Sequence, residues 1–197
     1  MAVTLTVQGQ PQTKYLSFSN SPTEKGYGEF TKRITQSDFS RVLNGMHPGD
    51  KLAVKMPMGK FTLDEKDRKM AMLSGGIGIT PLRSICKYIA DQSLPVDVVL
   101  FYGNRNIDEI PFKDDLDSMP ENIRVIYALD EVPPDLEWAG EKGMITEEMI
   151  RRRIPDYSER CFYVCGPPGM VKCLMGLLKD ELAIPGERVK QENFAGY

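Results

Sequence analysis

Three glycines, a threonine and a proline fall within seven residues at Gly75-Gly76-Ile77-Gly78-Ile79-Thr80-Pro81. The four residues ahead of Ser74, Met70-Ala71-Met72-Leu73, are apolar and suit a strand, and behind the turn Leu82, Ile85 and Ile89 recur at helical spacing. The pattern is strand, glycine-rich turn, helix. Backbone N–H groups converge at the start of such a helix, and its dipole adds partial positive charge there. Glycines let a large anion approach the backbone closely. The chemistry on offer is the holding of a pyrophosphate. Thr80 fits the cap position and Pro81 the first helical position, where a missing N–H costs nothing. A turn of this kind also joins purely structural strand–helix units. A second stretch, Val164-Cys165-Gly166-Pro167-Pro168-Gly169-Met170, also joins a strand to a helix. Ligands in open α/β sheets bind outside the carboxyl ends of the strands, so two such turns facing one crevice are hard to attribute to packing alone.

The rest of the chain must position those two turns. Its 197 residues are 41% hydrophobic and 27% charged, enough for one large or two small domains with cores. Net charge is −3 with the signs mixed and no basic tract, which argues against nucleic acid as a partner. No apolar run is long enough to span a bilayer and no secretory signal opens the sequence. Cys86, Cys161, Cys165 and Cys173 form no CxxC pair, against a zinc or iron–sulfur cage, and free thiols fit a reducing cytoplasm. The one histidine, His47, stands in a Gly/Pro loop, which speaks against histidine-centred catalysis.

Residues 2–7 alternate as a half-buried strand; 8–13 read as a turn, and 14–22, 28–34 and 51–56 as further strands. Ser37 caps a short helix over 38–44, with Gly45 at the left-handed position after it. Six charged residues at 64–69 read as a solvated link, dividing the chain into 1–65 and 66–197. Beyond it, strands at 70–73, 96–102, 123–129, 160–165 and 189–191 alternate with helices at 81–92, 111–117, 146–153 and 167–182. Strict alternation predicts right-handed crossovers and a doubly wound, mostly parallel sheet.

With this order in place, the sequence resembles the ferredoxin–NADP⁺ reductase-like flavoprotein superfamily over about residues 14–197. The family's Arg-x-Tyr-Ser/Thr flavin strand is similar to Lys14-Tyr15-Leu16-Ser17, followed by Ser21-Pro22. Its Gly-Pro-x-Gly-x-Phe turn is similar to Met56-Pro57-Met58-Gly59-Lys60-Phe61, and its nucleotide loop to Gly75–Pro81. Tyr102-Gly103-Asn104-Arg105, the turn Cys165-Gly166-Pro167-Pro168-Gly169-Met170 and the end Glu192-Asn193-Phe194-Ala195-Gly196-Tyr197 match further family segments.

The resemblance implies an α/β nucleotide-binding domain at 66–197, preceded by an incomplete antiparallel flavin-binding barrel at 1–65. It implies FAD and NAD(P)H as cofactors, with a hydride passing from NAD(P)H to FAD and electrons onward to an acceptor protein or small acceptor. Lys14 takes the place of an arginine near the flavin pyrophosphate, as a point charge without the bidentate fork. Leu16 takes the place of the aromatic that packs on the flavin, and Gly59 belongs to the flavin turn. Ser17 offers its hydroxyl near the flavin N5, or is an ordinary strand serine. Ser40 and the amides at 37–44 are candidates for the flavin phosphates, with Asp38 opposed. Gly75, Gly76, Gly78, Thr80 and Pro81 cradle the nicotinamide nucleotide, with Gly166, Pro167 and Met170 opposite. Cys165 orients the nicotinamide, or is a buried small hydrophobe. Glu192 polarises or relays protons, or is a surface carboxylate. Phe194 and Tyr197 are candidates to cover the flavin. Arg105 could meet a 2′-phosphate, but Asp108 and Glu109 oppose it, so NADH is favoured.

The family barrel has six strands, and only four are legible before residue 64. This implies a shortened barrel, or an oligomer, homo or hetero, that completes it. A reading from another class is a nucleotide-binding electron-transfer subunit or regulator that has lost flavin chemistry; Lys14, Leu16 and Met56 favour it.

Overall fold

The computed structural model describes residues 1–194. Two sheets carry the fold. β1 (Ala2–Val7), β2 (Gln10–Tyr15) and β3 (Ala53–Lys55) form an antiparallel sheet in the order β2-β1-β3. Val3, Leu5 and Val7 point inward from β1 and bury with Leu16 and with Phe39 of α1 (Asp38–Asn44). The second sheet is parallel, in the order β7-β6-β5-β4-β8-β9. Its strands are β4 (Lys69–Gly75), β5 (Asp97–Asn104), β6 (Ile123–Leu129), β7 (Glu141–Lys142), β8 (Cys161–Gly166) and β9 (Val189–Asn193). Helices α2 (Ile79–Asp91) and α3 (Lys113–Asp117) cover one face, α4 (Glu147–Arg153) and α5 (Pro168–Gly176) the other. Along β4, Met70 and Met72 join the α2 core while Ala71 and Leu73 join the α4–α5 core, as a strand buried on both faces requires. From β4 the order runs outward through β5 one way and β8 the other. The switch point therefore lies between β4 and β8, whose carboxyl ends carry the two glycine turns.

Several expectations are corrected. β2 runs over Gln10–Tyr15 and not 14–22, so the turn is only the pair Gln8-Gly9, both at positive φ, and 16–22 lies outside any strand. Pro11 is tolerated because β2 is an edge strand. The strand expected at 28–34 does not form. This segment is tied to the preceding one by Ser19 N, which donates to Glu29 O at 2.9 Å, and by side-chain bonds, without a ladder. Ser37 does cap α1, accepting from Ser40 N, but Gly45 stays right-handed at φ −88°. Thr146 caps α4 as expected. The charged run at 64–69 is not simply solvated. Asp67 accepts from Tyr163 Oη at 2.7 Å, and Lys69 opens β4 and pairs with Asp156 and Glu159. The loop after β6 is pinned by Trp138, which donates to Glu141 O at 2.8 Å beside the Tyr127 ring. No helix among the described residues is long and apolar enough to cross a membrane.

Candidate functional site

The nucleotide turn is shaped by what glycine lacks. A Cβ on Gly78 would fall 2.5 Å from Cys165 O and from Gly166 Cα, and one on Gly75 would fall 2.3 Å from Met170 Sδ. Gly75 and Gly78 are thus small because the two turns pack directly on each other. Gly76 sits at φ +50°, where side chains are strained. Met170 fills the notch between the turns, and Pro167 stands exposed at the mouth of α5.

Thr80 is not the cap. A 3-10 turn over Gly76–Gly78 leads straight into α2, and neither start has a side-chain cap. Thr80 lies buried in the first turn of α2, its hydroxyl donating to Ile77 O at 3.3 Å, and Pro81 follows as the third residue. Ile79 N–H already donates to Gly76 O and Ile77 O, and the amides ahead of it have no side-chain cap and are left for an external acceptor. Tyr102 Oη donates to Gly76 O at 2.9 Å and fixes the turn from the sheet side. Ser74 Oγ, at the end of β4, is buried with no hydrogen-bond partner among the described residues. An uncapped helix start and an orphaned hydroxyl beside it fit a bound dinucleotide.

The other half of the site comes from the opposite end of the sequence. Ser17 Oγ donates to Glu192 Oε2 at 3.1 Å, across 175 residues. Glu192 is in register with Cys165 on the neighbouring strand. All three residues assigned to catalysis in the sequence thus converge. Burial pushes the Glu192 carboxyl up from its ordinary value, against the hydrogen bond from Ser17 and the charge of the amino terminus. Burial, with the Glu192 charge added, also pushes the Cys165 thiol up. Cys165 is therefore a neutral thiol at physiological pH and not a nucleophile.

A cleft of about 540 Å³ is lined by Lys14, Leu16, Ser17, Gly59, Glu192 and Phe194. An apolar cleft of about 410 Å³ adjoins it past Leu16 and Ser17, toward Phe61 and Tyr88. A gap of only about 10 Å³ separates Leu16 and Ser17 from Ile77 and Thr80, with Phe194 at its edge. The segment expected to face a flavin and the turn expected to hold a nucleotide thus look at each other across a narrow slot that is too small for a ring, with the two larger clefts beside it. Gly59 takes φ +96°.

Lys32, which the sequence did not single out, borders the same slot. Its ammonium donates to Ser40 Oγ at 3.0 Å, and burial and then the Lys14 charge lower its pKa. Ser40 itself is buried among Thr35, Ser37 and Lys32 and does not line the cleft. The signal that could have found Lys32 was its charge in a segment otherwise read as strand. Arg105 is exposed at the end of β5, its Nε donating to Glu131 Oε1 at 2.9 Å, and Glu109 is engaged by Arg33. Tyr197 lies outside the described residues.

Comparison with known proteins agrees with this geometry. Residues 72–175 match the oxidoreductase NAD-binding domain family. A component of the Na(+)-translocating NADH-quinone reductase of Idiomarina loihiensis is 30% identical over 200 residues, covering 91% of this chain and 48% of that protein. NADH-cytochrome b5 reductase 2 of Pyricularia oryzae is 35% identical over 165 residues, covering 78% and 48%. The chain spans about half the length of these curated relatives. The cytochrome b5 reductase domain of Ulva prolifera nitrate reductase superimposes with a TM-score of 0.83 at 21% identity, covering 97% of this chain and 82% of that one. A ferredoxin NADP+ reductase from Neisseria gonorrhoeae, solved with bound FAD and NADP, gives 0.79 at 20% identity, covering 98% and 84%.

Proposed function

Because the chain belongs to the oxidoreductase NAD-binding domain family and has the fold of the ferredoxin reductase-like flavoproteins, we propose that it moves a hydride from NADH to FAD and electrons onward to an acceptor protein or small acceptor. The observation that carries this reading is the Ser17–Glu192 hydrogen bond, closed beside Cys165 and facing the glycine turn at Thr80.

Bound FAD would supply the hydride acceptor and the means to release electrons singly. The chain's own residues do the rest. The amides at 76–78 hold the pyrophosphate of the nicotinamide nucleotide. Lys14 balances the charge of the flavin phosphates. Ser17 keeps a hydroxyl proton at the base of the slot, directed by Glu192, and Phe194 excludes water from its edge. Cys165, fully buried in the core under α2, backs Glu192 from the neighbouring strand and so acts on the nicotinamide side only by packing. Arg105 is already paired with Glu131, so a 2′-phosphate would have to displace a carboxylate, which supports NADH over NADPH. The division near residue 65 is supported by the separate small core of β1, β2 and α1. The reduced cysteines support a cytoplasmic setting. The outer edges of β2 and β3, unpaired among the described residues, support an oligomer that completes the barrel.

A regulator that binds nucleotide without flavin chemistry is the second reading, favoured by Leu16, which packs into the small core where the family has a stacking aromatic. The two separate on colour. The enzyme is yellow as purified, or after incubation with FAD, and NADH bleaches it. A colourless protein that NAD⁺ still stabilises against heat would overturn the enzyme reading.

A further inference from the structure

Arg83 stands on α2 three residues beyond Thr80, and its side chain is only 8% exposed. Its guanidinium commits all its nitrogens to other segments. Nη1 donates to Ser19 O at 2.9 Å and to Glu24 Oε2 at 2.7 Å, while Nε and Nη2 donate to Asp115 Oδ2 at 2.9 and 2.5 Å. The group also lies 5.4 Å over the ring of Phe112, a non-glycine residue held at φ +59° ahead of α3. Such a backbone persists only where its surroundings over-determine it. Next along α2, Ser84 Oγ donates to Asn20 O at 2.7 Å, and Asp91, two turns further on, accepts from Thr23.

A buried guanidinium with two carboxylates is a poor route to stability by itself, since its desolvation opposes the pairing. What it does supply is geometry, because its planar fork fixes several acceptors at once. The acceptors are informative. Ser19 is two residues from Ser17, and Thr80 is three from Arg83. The fork therefore joins the two walls of the slot by the shortest available paths, with Asp115 bringing in the segment that follows Arg105.

We propose that Arg83 is a positioning residue. It clamps the segment 17–24 to the nucleotide turn and so sets the spacing of the two walls between which the hydride passes. This rests on the proposed function for its catalytic consequence, but not for the clamp itself. Arg83 borders neither the 540 Å³ cleft nor the slot, so it acts through Ser19 and not on a ligand.

The test compares the wild type with Arg83→Met, Arg83→Lys and Asp115→Asn. Amide hydrogen exchange is followed over residues 18–24 and over β4. In Arg83→Met, exchange over 18–24 quickens by about tenfold or more while β4 keeps its protection. In FAD-loaded protein, single-turnover reduction by NADH slows by about tenfold while the NADH Kd stays within about twofold, because misplacement affects the transfer and not the binding. Arg83→Lys, with one charge and no fork, is intermediate. Unchanged exchange over 18–24 overturns the clamp, and so does a rate that falls only in step with NADH affinity. Where Arg83→Met does not fold, Arg83→Lys and Asp115→Asn must show the same pattern in smaller measure; no change in either overturns the proposal. A wild type that NADH does not reduce defeats the function instead, and the exchange measurement still decides the clamp.

Discussion

Replacing Gly78 by alanine is the sharpest test of the two-turn site. The added Cβ would sit 2.5 Å from Cys165 O and Gly166 Cα, where ordinary contact begins near 3.4 Å, a shortfall of about 0.9 Å. Both obstacles are backbone at a buried strand end, so no side chain can rotate away and the turns must part. Overpacking of this kind costs about 1–3 kcal/mol, and an obstacle that cannot yield places it in the upper half, about 2–3 kcal/mol. For a chain of this size that lowers Tm by about 4–12 °C. The functional loss is separate: parting the turns misaligns the amides at 76–78, and the NAD⁺ Kd should rise by about tenfold, equal to about 1.4 kcal/mol. Differential scanning fluorimetry with and without NAD⁺ reads both numbers. Gly186→Ala is the control, because its Cβ meets nothing within 4 Å and its φ is ordinary; it should stay within about 0.5 kcal/mol of the wild type. A Gly78→Ala protein with native Tm and native NAD⁺ affinity would refute the claim that the turns touch through this glycine.

Glu192→Gln tests the raised carboxyl. A folded-state pKa above the unfolded value means that ionisation opposes folding, so the wild type loses stability as pH rises through the folded pKa. The variant should therefore melt higher than the wild type at pH 7 and equally below about pH 4, near the unfolded glutamate value; a gap that widens toward acid contradicts the assignment. Thiol labelling tests the burial of the cysteines. Cys173 is exposed and should alkylate at pH 8, whereas Cys86, pushed up to about 12 by burial, and Cys165 should react only after unfolding, as intact mass will count. Glu131→Gln should release Arg105 and improve NADPH binding by about tenfold relative to NADH, the scale of one charge-assisted hydrogen bond; titration of both dinucleotides checks the ratio.

Local patterns were legible in the sequence, and long-range partners were not. β6 runs over the expected residues and Thr146 caps α4 because alternation and capping are decided within a few residues. The segment 28–34 reads as a strand in sequence, yet a strand exists only where a ladder partner exists, and none pairs with it among the described residues. β2 carries no alternating apolar face, and its register is set by β1, Ala2 opposite Tyr15. Asp67 and Lys69 read as solvated charge because Tyr163 and Asp156, their partners, lie 96 and 87 residues away. Thr80 was misplaced for a local reason: the 3-10 turn begins the helix at Gly76, which no propensity argument favours over a threonine cap. The site shows the same division. Gly75–Pro81 and Cys165–Met170 were visible as motifs, but the Ser17–Glu192 bond and the Lys32 ammonium depend on chain segments that only folding brings together.

The chain's single tryptophan bears on how all of this should be watched. Trp138 is anchored to Glu141 at the β6–β7 margin, in the half of the molecule that bears the parallel sheet. Its emission will report the loss of that sheet and stay silent if β1, β2 and β3 come apart first. An unfolding curve taken from tryptophan fluorescence alone would then describe a single transition in a molecule that had two. A probe introduced at exposed Tyr15, as Tyr15→Trp, would make the earlier event visible.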